Sequence, residues 1–156
     1  MSFRITSGIL LAAWAIASVS ATGAQEPQAA AAPAASTAVA PTSVLQGVYS
    51  TEQAKRGEAL YADTCASCHG DRLAGGEMAP PLSGPDFLAN WDQQPLSDLY
   101  VRVHEDMPQD NAGTLTPAQA ADAVAFVLSA NQFPAGTADL VSDKDVLQAI
   151  KIETPK

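Results

Sequence analysis

Both cysteines of the chain, Cys65 and Cys68, lie within one pentapeptide, Cys65-Ala66-Ser67-Cys68-His69. Thiols three residues apart cannot staple distant parts of a fold, so no disulfide framework is open to this chain. On a single helical turn residues i and i+3 share a face, so the two sulfurs project together and the imidazole stands beside them. That spacing is the attachment sequence of a c-type haem: the thiolates add to the porphyrin vinyl groups, and the histidine is placed under the iron. Two other readings compete. A thioredoxin-type redox pair requires a βαβ context, and a tetrahedral zinc site requires a fourth ligand, for which His104 is the one remaining histidine.

The N-terminus sets the compartment. Arg4 precedes an apolar run from Ile9 to Val19 and small residues at Ala21 to Ala24, the layout of a secretory signal peptide over residues 1–24. No charge falls between Ile5 and Ala24, so a retained anchor is the alternative, since roughly 20 apolar residues cross a bilayer. No cysteine stands at the processing site, which excludes an N-terminal lipid. Export to the periplasm accords with the pentapeptide, because c-type haem is attached beyond the inner membrane. Residues 25–47 are rich in Ala and Pro and read as a disordered linker. The net charge of −9, which becomes −10 once Arg4 is removed, excludes a nucleic-acid partner, because phosphate backbones select basic faces. It fits a soluble monomer or a basic partner.

Two helices announce themselves by their caps. Ser50-Thr51-Glu52-Gln53 has the capping-box pattern, with the Gln side chain reaching back to the cap N–H, and predicts a helix to about Asp63. Thr116-Pro117-Ala118-Gln119 repeats the pattern and predicts a helix to about Asn131, with Ala120, Ala121, Val124, Val127 and Leu128 on one buried face and Phe126 beside it. Between them Pro95 can open a helix with Leu96, Leu99, Tyr100 and Val103 on one face, stopped by Pro108. Residues 70–90 hold four Gly and three Pro, and nothing alternates with period two, so the expected class is all-α with long loops. A folded unit at 48–136, about 85 residues with few aromatics, is marginal on its own burial and calls for a group that fills its core.

These features resemble the class I cytochrome c family. Gly57 and Tyr61 precede Cys65 by eight and four residues, as do the family's small and aromatic positions where the N-terminal helix crosses the C-terminal one. Phe126 and Leu128 resemble the opposite side of that crossing. Ala79-Pro80-Pro81-Leu82-Ser83-Gly84 is similar to the family's Pro-x-Leu segment, which implies that the Pro80 carbonyl accepts a hydrogen bond from the His69 ring and that Leu82 packs on the haem face; a plain Pro-rich turn is the alternative. Met107-Pro108 matches the family's distal Met-Pro, which implies His69 and Met107 as the two iron ligands. His104, three residues earlier, is the rival sixth ligand or a solvated helix-end histidine. Trp91 either donates its N–H to a haem propionate or packs in the core. A thioether favours Fe(II), so His/Met ligation implies a relatively high potential and leaves no open site for a substrate.

The run from Asp86-Phe87-Leu88 through Ala112-Gly113-Thr114-Leu115 to Asn131-Gln132-Phe133-Pro134-Ala135-Gly136 is more specifically similar to small cytochromes associated with pyrroloquinoline-quinone-dependent dehydrogenases. It departs at Ala112, where the family commonly has Pro. Residues 137–156 form an extension outside the pattern, in which Ser142 to Ile150 could cap and form a helix with Val146, Leu147 and Ile150 inward. The expected function is a periplasmic monohaem electron carrier with no catalysis of its own. Its expected partners are redox proteins, among them a quinoprotein alcohol dehydrogenase as donor and a terminal oxidase as acceptor. The alternatives are a haem module that binds a small ligand or reacts with peroxide, and an obligate dehydrogenase subunit.

Overall fold

The computed structural model describes residues 40–154. The expected signal peptide, and the linker up to residue 39, lie outside the described residues. Six α-helices follow one another: α1 (Thr51–Thr64), α2 (Ala66–His69), α3 (Pro85–Trp91), α4 (Leu96–Asp106), α5 (Pro117–Ala130) and α6 (Lys144–Gln148). Among the described residues the only extended pairing is in isolated bridges, Ser43 with Lys151, Ser50 with Gly136 and Pro95 with Lys151, which bears out the all-α expectation.

The two long helices begin where their caps place them. Ser50 Oγ accepts from Gln53 N at 3.0 Å, and Thr116 Oγ1 accepts from Gln119 N at 3.2 Å. At α5 the box closes, with Gln119 Oε1 accepting from Thr116 N at 2.9 Å. At α1 it does not, contrary to expectation. The Gln53 side chain is 2% exposed and turns inward to the backbone of Leu140, donating to its carbonyl at 3.0 Å and accepting from its N–H at 2.6 Å. A buried amide that satisfies two buried backbone groups outweighs one local bond at a helix end.

α1 packs most extensively against α5, and Gly57 is the point of closest approach. A Cβ built there would lie 1.9 Å from the Asp122 carbonyl oxygen and 2.8 Å from Phe126 Cβ. The Tyr61 and Phe126 rings meet alongside, centroids 5.2 Å apart and tilted by 51°. Leu128, Val124, Ala120 and Ala121 are fully buried behind them, as the helical period predicts. On the surface Arg56 grips Asp122 with two bonds of 3.1 Å and Asp139 with one of 2.7 Å, joining α1, α5 and the chain beyond α5.

α4 buries Leu96, Leu99 and Tyr100 against α5 and α6, while Val103 is only half-buried. α3 arises inside the run that the sequence reads as loop. Pro85 at its first turn needs no partner for an N–H, and Phe87 supplies one fully buried anchor.

Both flanks of the expected domain are ordered. Residues 42–47, assigned to the linker by composition, hold a 3₁₀ turn at Val44–Gln46 capped by Ser43, with Val44 fully buried. Val44 N donates to Lys151 O at 3.0 Å and Lys151 N to Thr42 O at 2.9 Å. The linker expectation fails there because composition does not register pairing with a segment over 100 residues away. Residues 137–154 contribute Leu140, Leu147, Ile150 and Ile152 to the core. α6 is capped by Asp143 rather than Ser142, and Val146 is 46% exposed where an inward position was expected. Leu147 and Ile150 define the buried face, and Val146 stands about 100° round the helix from Leu147.

Candidate functional site

The pentapeptide starts where α1 ends. Cys65 N donates to Tyr61 O at 2.9 Å, and α2 follows at once, with His69 N donating to Cys65 O at 3.0 Å. The turn therefore carries Cys65, Cys68 and His69 at helical spacing. The cysteines are not joined to each other; Cys65 is half-buried and Cys68 exposed. Burial, and then the neighbouring Cys68, push the Cys65 thiol above its ordinary range. Gly70, with φ of +77°, ends the turn in a backbone conformation that suits glycine. Tyr61 reaches across from α1 to donate its hydroxyl to Gly70 O at 2.6 Å. Burial, and then the charges of Cys65 and Asp71, push that hydroxyl up to about 12, so it stays a donor at any physiological pH.

His69 is 8% exposed, and its ring Nδ1 lies 2.9 Å from the Pro80 carbonyl oxygen. A carbonyl only accepts, so Nδ1 carries the proton and donates it. Nε2 is then the basic nitrogen with a free lone pair, the tautomer a metal-binding imidazole requires. The sequence expectation for Pro80 corresponds to this contact.

The loop holding Pro80 is tied on both sides. Gly75 N donates to His69 O at 2.9 Å, and Leu82 N donates to Leu73 O at 2.8 Å. Gly75 has φ of +72°, and a Cβ there would lie 2.5 Å from Pro81 N, so the close approach admits no side chain. Asn131, just past α5, is buried and bonds the backbone of Leu82 and Gly84. The sequence reading takes Asn131 as a helix end and as the first residue of the subfamily run, and gives it no role in the site; a polar side chain in the position where helices end is the ordinary signal of a cap and hides this second use.

Leu82 is half-buried against the core, as is Trp91, whose ring meets Phe87 at 6.1 Å. Met107 is half-buried directly after α4, with extended backbone, whereas Met78 is 81% exposed. His104 stacks on Tyr100, centroids 5.6 Å apart and 13° between planes. Among the described residues no hydrogen bond or ring contact links Trp91 or Met107 to His69. Nor do three His, Cys, Asp or Glu side chains gather there in a metal cage, so the competing zinc arrangement has no support.

The donor set suits a covalent haem. Two thiols on one turn, an imidazole with a free Nε2 and a fixed Nδ1–H, and a thioether on a separate loop are the groups that such a cofactor uses.

Residues 52–127 match the family described as cytochrome C oxidase, cbb3-type, subunit III. The chain is similar to the thiosulfate dehydrogenase of Stutzerimonas stutzeri (strain A1501), 33% identical over 81 residues, which is 47% of this chain and 26% of that protein. A solved structure, the sulfane dehydrogenase SoxCD from Paracoccus pantotrophus, is 30% identical with a TM-score of 0.47, covering 64% of this chain and 52% of that one. The chain thus spans about a quarter of the one and about half of the other.

Proposed function

We propose that the protein is a periplasmic carrier with one covalent haem, taking single electrons from one redox protein and passing them to another; the cytochrome family match over residues 52–127 supports a haem electron-transfer module. When bound, the haem supplies a one-electron Fe(III)/Fe(II) couple. One electron enters from a reduced donor and one leaves to an oxidised acceptor, and no bond in the protein is made or broken in the exchange. Cys65 and Cys68 would hold the cofactor through thioethers, and His69 Nε2 and the Met107 sulfur would supply the protein ligands to its iron. Leu82 would pack on the haem face, and Trp91 would either donate its indole N–H to a haem propionate or serve in the core beside Phe87.

The observation that carries this reading is the His69 ring, buried and locked by the Pro80 carbonyl at 2.9 Å beside two free thiols. The lock fixes the tautomer and orientation that an iron-ligating imidazole needs. The acidic balance, −9, suits docking to a basic surface. A dehydrogenase as donor draws support from the relative named as a thiosulfate dehydrogenase and from the resemblance to quinoprotein-associated cytochromes. Whether the chain works free or as a dehydrogenase subunit is decided by co-purification at moderate salt.

The test is an absorption spectrum of the oxidised, haem-loaded protein in the far red, where an Fe(III)–thioether charge-transfer band reports axial sulfur. Wild type should show the band and Met107→Ala should lose it. A wild type without the band, together with rapid CO binding when reduced, would replace the carrier with a ligand-binding module.

A further inference from the structure

The carbonyl that fixes the His69 ring belongs to a segment poorly able to fix itself. Pro80 and Pro81 have no N–H, so the backbone offers no donor at the point where position matters. Local bonds flank the pair, Gly76 N to Ala79 O at 2.9 Å and Leu82 N to Leu73 O at 2.8 Å, and a further hold comes from elsewhere in the chain. Asn131, 8% exposed, commits both ends of its amide to backbone: Nδ2 donates to Val127 O at 2.8 Å and to Leu82 O at 2.9 Å, and Oδ1 accepts from Gly84 N at 3.0 Å. The bond to Val127 locks the amide onto the last turn of α5, and the other two hold the segment two and four residues beyond Pro80. Gly75 supplies the opposing wall, since a Cβ there would lie 2.7 Å from the Pro80 carbonyl carbon. The Pro80 peptide is thereby confined between the Gly75 backbone and the Asn131 side chain.

We propose that Asn131 is a positioning residue for the iron ligand: by holding Leu82 and Gly84 to the end of α5, it sets the Pro80 carbonyl against His69 Nδ1. This deepens the electron-carrier reading and rests on it where the iron is concerned. A well-formed Nδ1–H···O bond makes the imidazole a stronger donor, and a stronger donor stabilises Fe(III) over Fe(II). Loosening the bond therefore raises the reduction potential. No other residue type fits the same three partners so well. Aspartate keeps the acceptor for Gly84 N but turns oxygen towards two carbonyls, and alanine removes the partner of Leu82 O and Gly84 N while Val127 O keeps the backbone N–H of residue 131 at 3.2 Å.

The experiment compares wild type, Asn131→Ala, Asn131→Asp and a control, Val124→Ala, which removes fully buried side-chain volume from α5 about two helical turns before Asn131. Three quantities are measured: the His69 ring ¹⁵N shifts with the exchange rate of the Nδ1 proton in the reduced, diamagnetic protein, the reduction potential, and Tm. Both Asn131 variants should exchange the Nδ1 proton about tenfold faster, the factor expected for loss of one hydrogen bond, and should show a raised potential. Val124→Ala should lower Tm and leave the other two readings unmoved. Wild-type exchange and potential in the Asn131 variants would overturn the proposal, as would equal changes in the control. Should Asn131→Ala fail to fold, the isosteric Asn131→Asp carries the comparison. A haem stain on a denaturing gel separates the two levels: a wild type without covalent haem sinks the carrier reading, whereas haem-loaded Asn131 variants with wild-type proton exchange and potential sink the role of Asn131 alone.

Discussion

Gly57→Ala tests the helix crossing on which the whole site is built. Gly57 lies inside α1 and its φ needs no glycine, so in an open position alanine would stabilise the helix by about 1 kcal/mol. The crossing reverses that sign. The new Cβ would stand 1.9 Å from the Asp122 oxygen, 2.6 Å from the Asp122 carbonyl carbon and 2.8 Å from Phe126 Cβ. Contact at about 3.5 Å would require the backbones to part by roughly 1.5 Å, and two of the three obstructing atoms are backbone that cannot rotate away. A gap of 0.5–1 Å, on the order of what partial relaxation leaves, forfeits a quarter to a half of the attraction of each facing pair, here those around Tyr61 and Phe126. Overpacking then costs about 3 kcal/mol, at the upper end of the usual range. Set against the helix-propensity gain, the net loss is about 2 kcal/mol, or about 8 °C in Tm at roughly 4 °C per kcal/mol for a unit of this size. Thermal unfolding followed by far-UV circular dichroism reads the shift directly. A Gly57→Ala protein with unchanged or raised Tm would refute the close crossing.

Leu147→Ala removes a fully buried side chain from α6 and should cost about 2–5 kcal/mol in urea unfolding; a loss under about 1 kcal/mol would show that the C-terminal segment is not part of the core. Hydrogen bonds from Ser50, and then Arg56, hold the Asp139 carboxyl below its ordinary 3.8. Its contribution is therefore complete above pH 3.8 and fades as pH falls through the lowered value, so the Tm advantage of wild type over Asp139→Asn should be flat near neutrality and close in stronger acid; an advantage that grows on acidification would contradict the assigned bonds. Electron transfer to a basic redox partner should slow as salt rises from low ionic strength, the Debye length falling to about 8 Å at physiological salt, and a salt-independent rate would remove charge from the docking step.

Features written in local sequence were legible in advance. The pentapeptide, the helix starts at Ser50 and Thr116 and the apolar period of α5 each depend on residues a few positions apart, and each lies where expected, although only the Thr116 capping box closes. Gly57, Tyr61 and Pro80 were legible through their resemblance to a known pattern. What escaped depends on partners far along the chain. Gln53 reads as half of a capping box until Leu140 offers a buried backbone, and Asn131 reads as a helix end until Leu82 and Gly84 arrive beside it. Composition hides α3 in the same way, because three of the residues that bracket its start are Ser83, Gly84 and Pro85, which read as punctuation although Pro85 is well placed to begin a helix.

The pairing of residues 42–44 with Lys151 also has a mechanical meaning. The bridge is parallel, so the chain enters the folded unit at one end of this short ladder and leaves at the other. Tension applied between residues 42 and 152 would pull the two segments past each other lengthwise. Both backbone bonds, Val44 to Lys151 and Lys151 to Thr42, would bear the load together rather than open one after the other. The unit is thus clasped where a pull along its own chain first arrives, before any strain can reach the helices that hold the site.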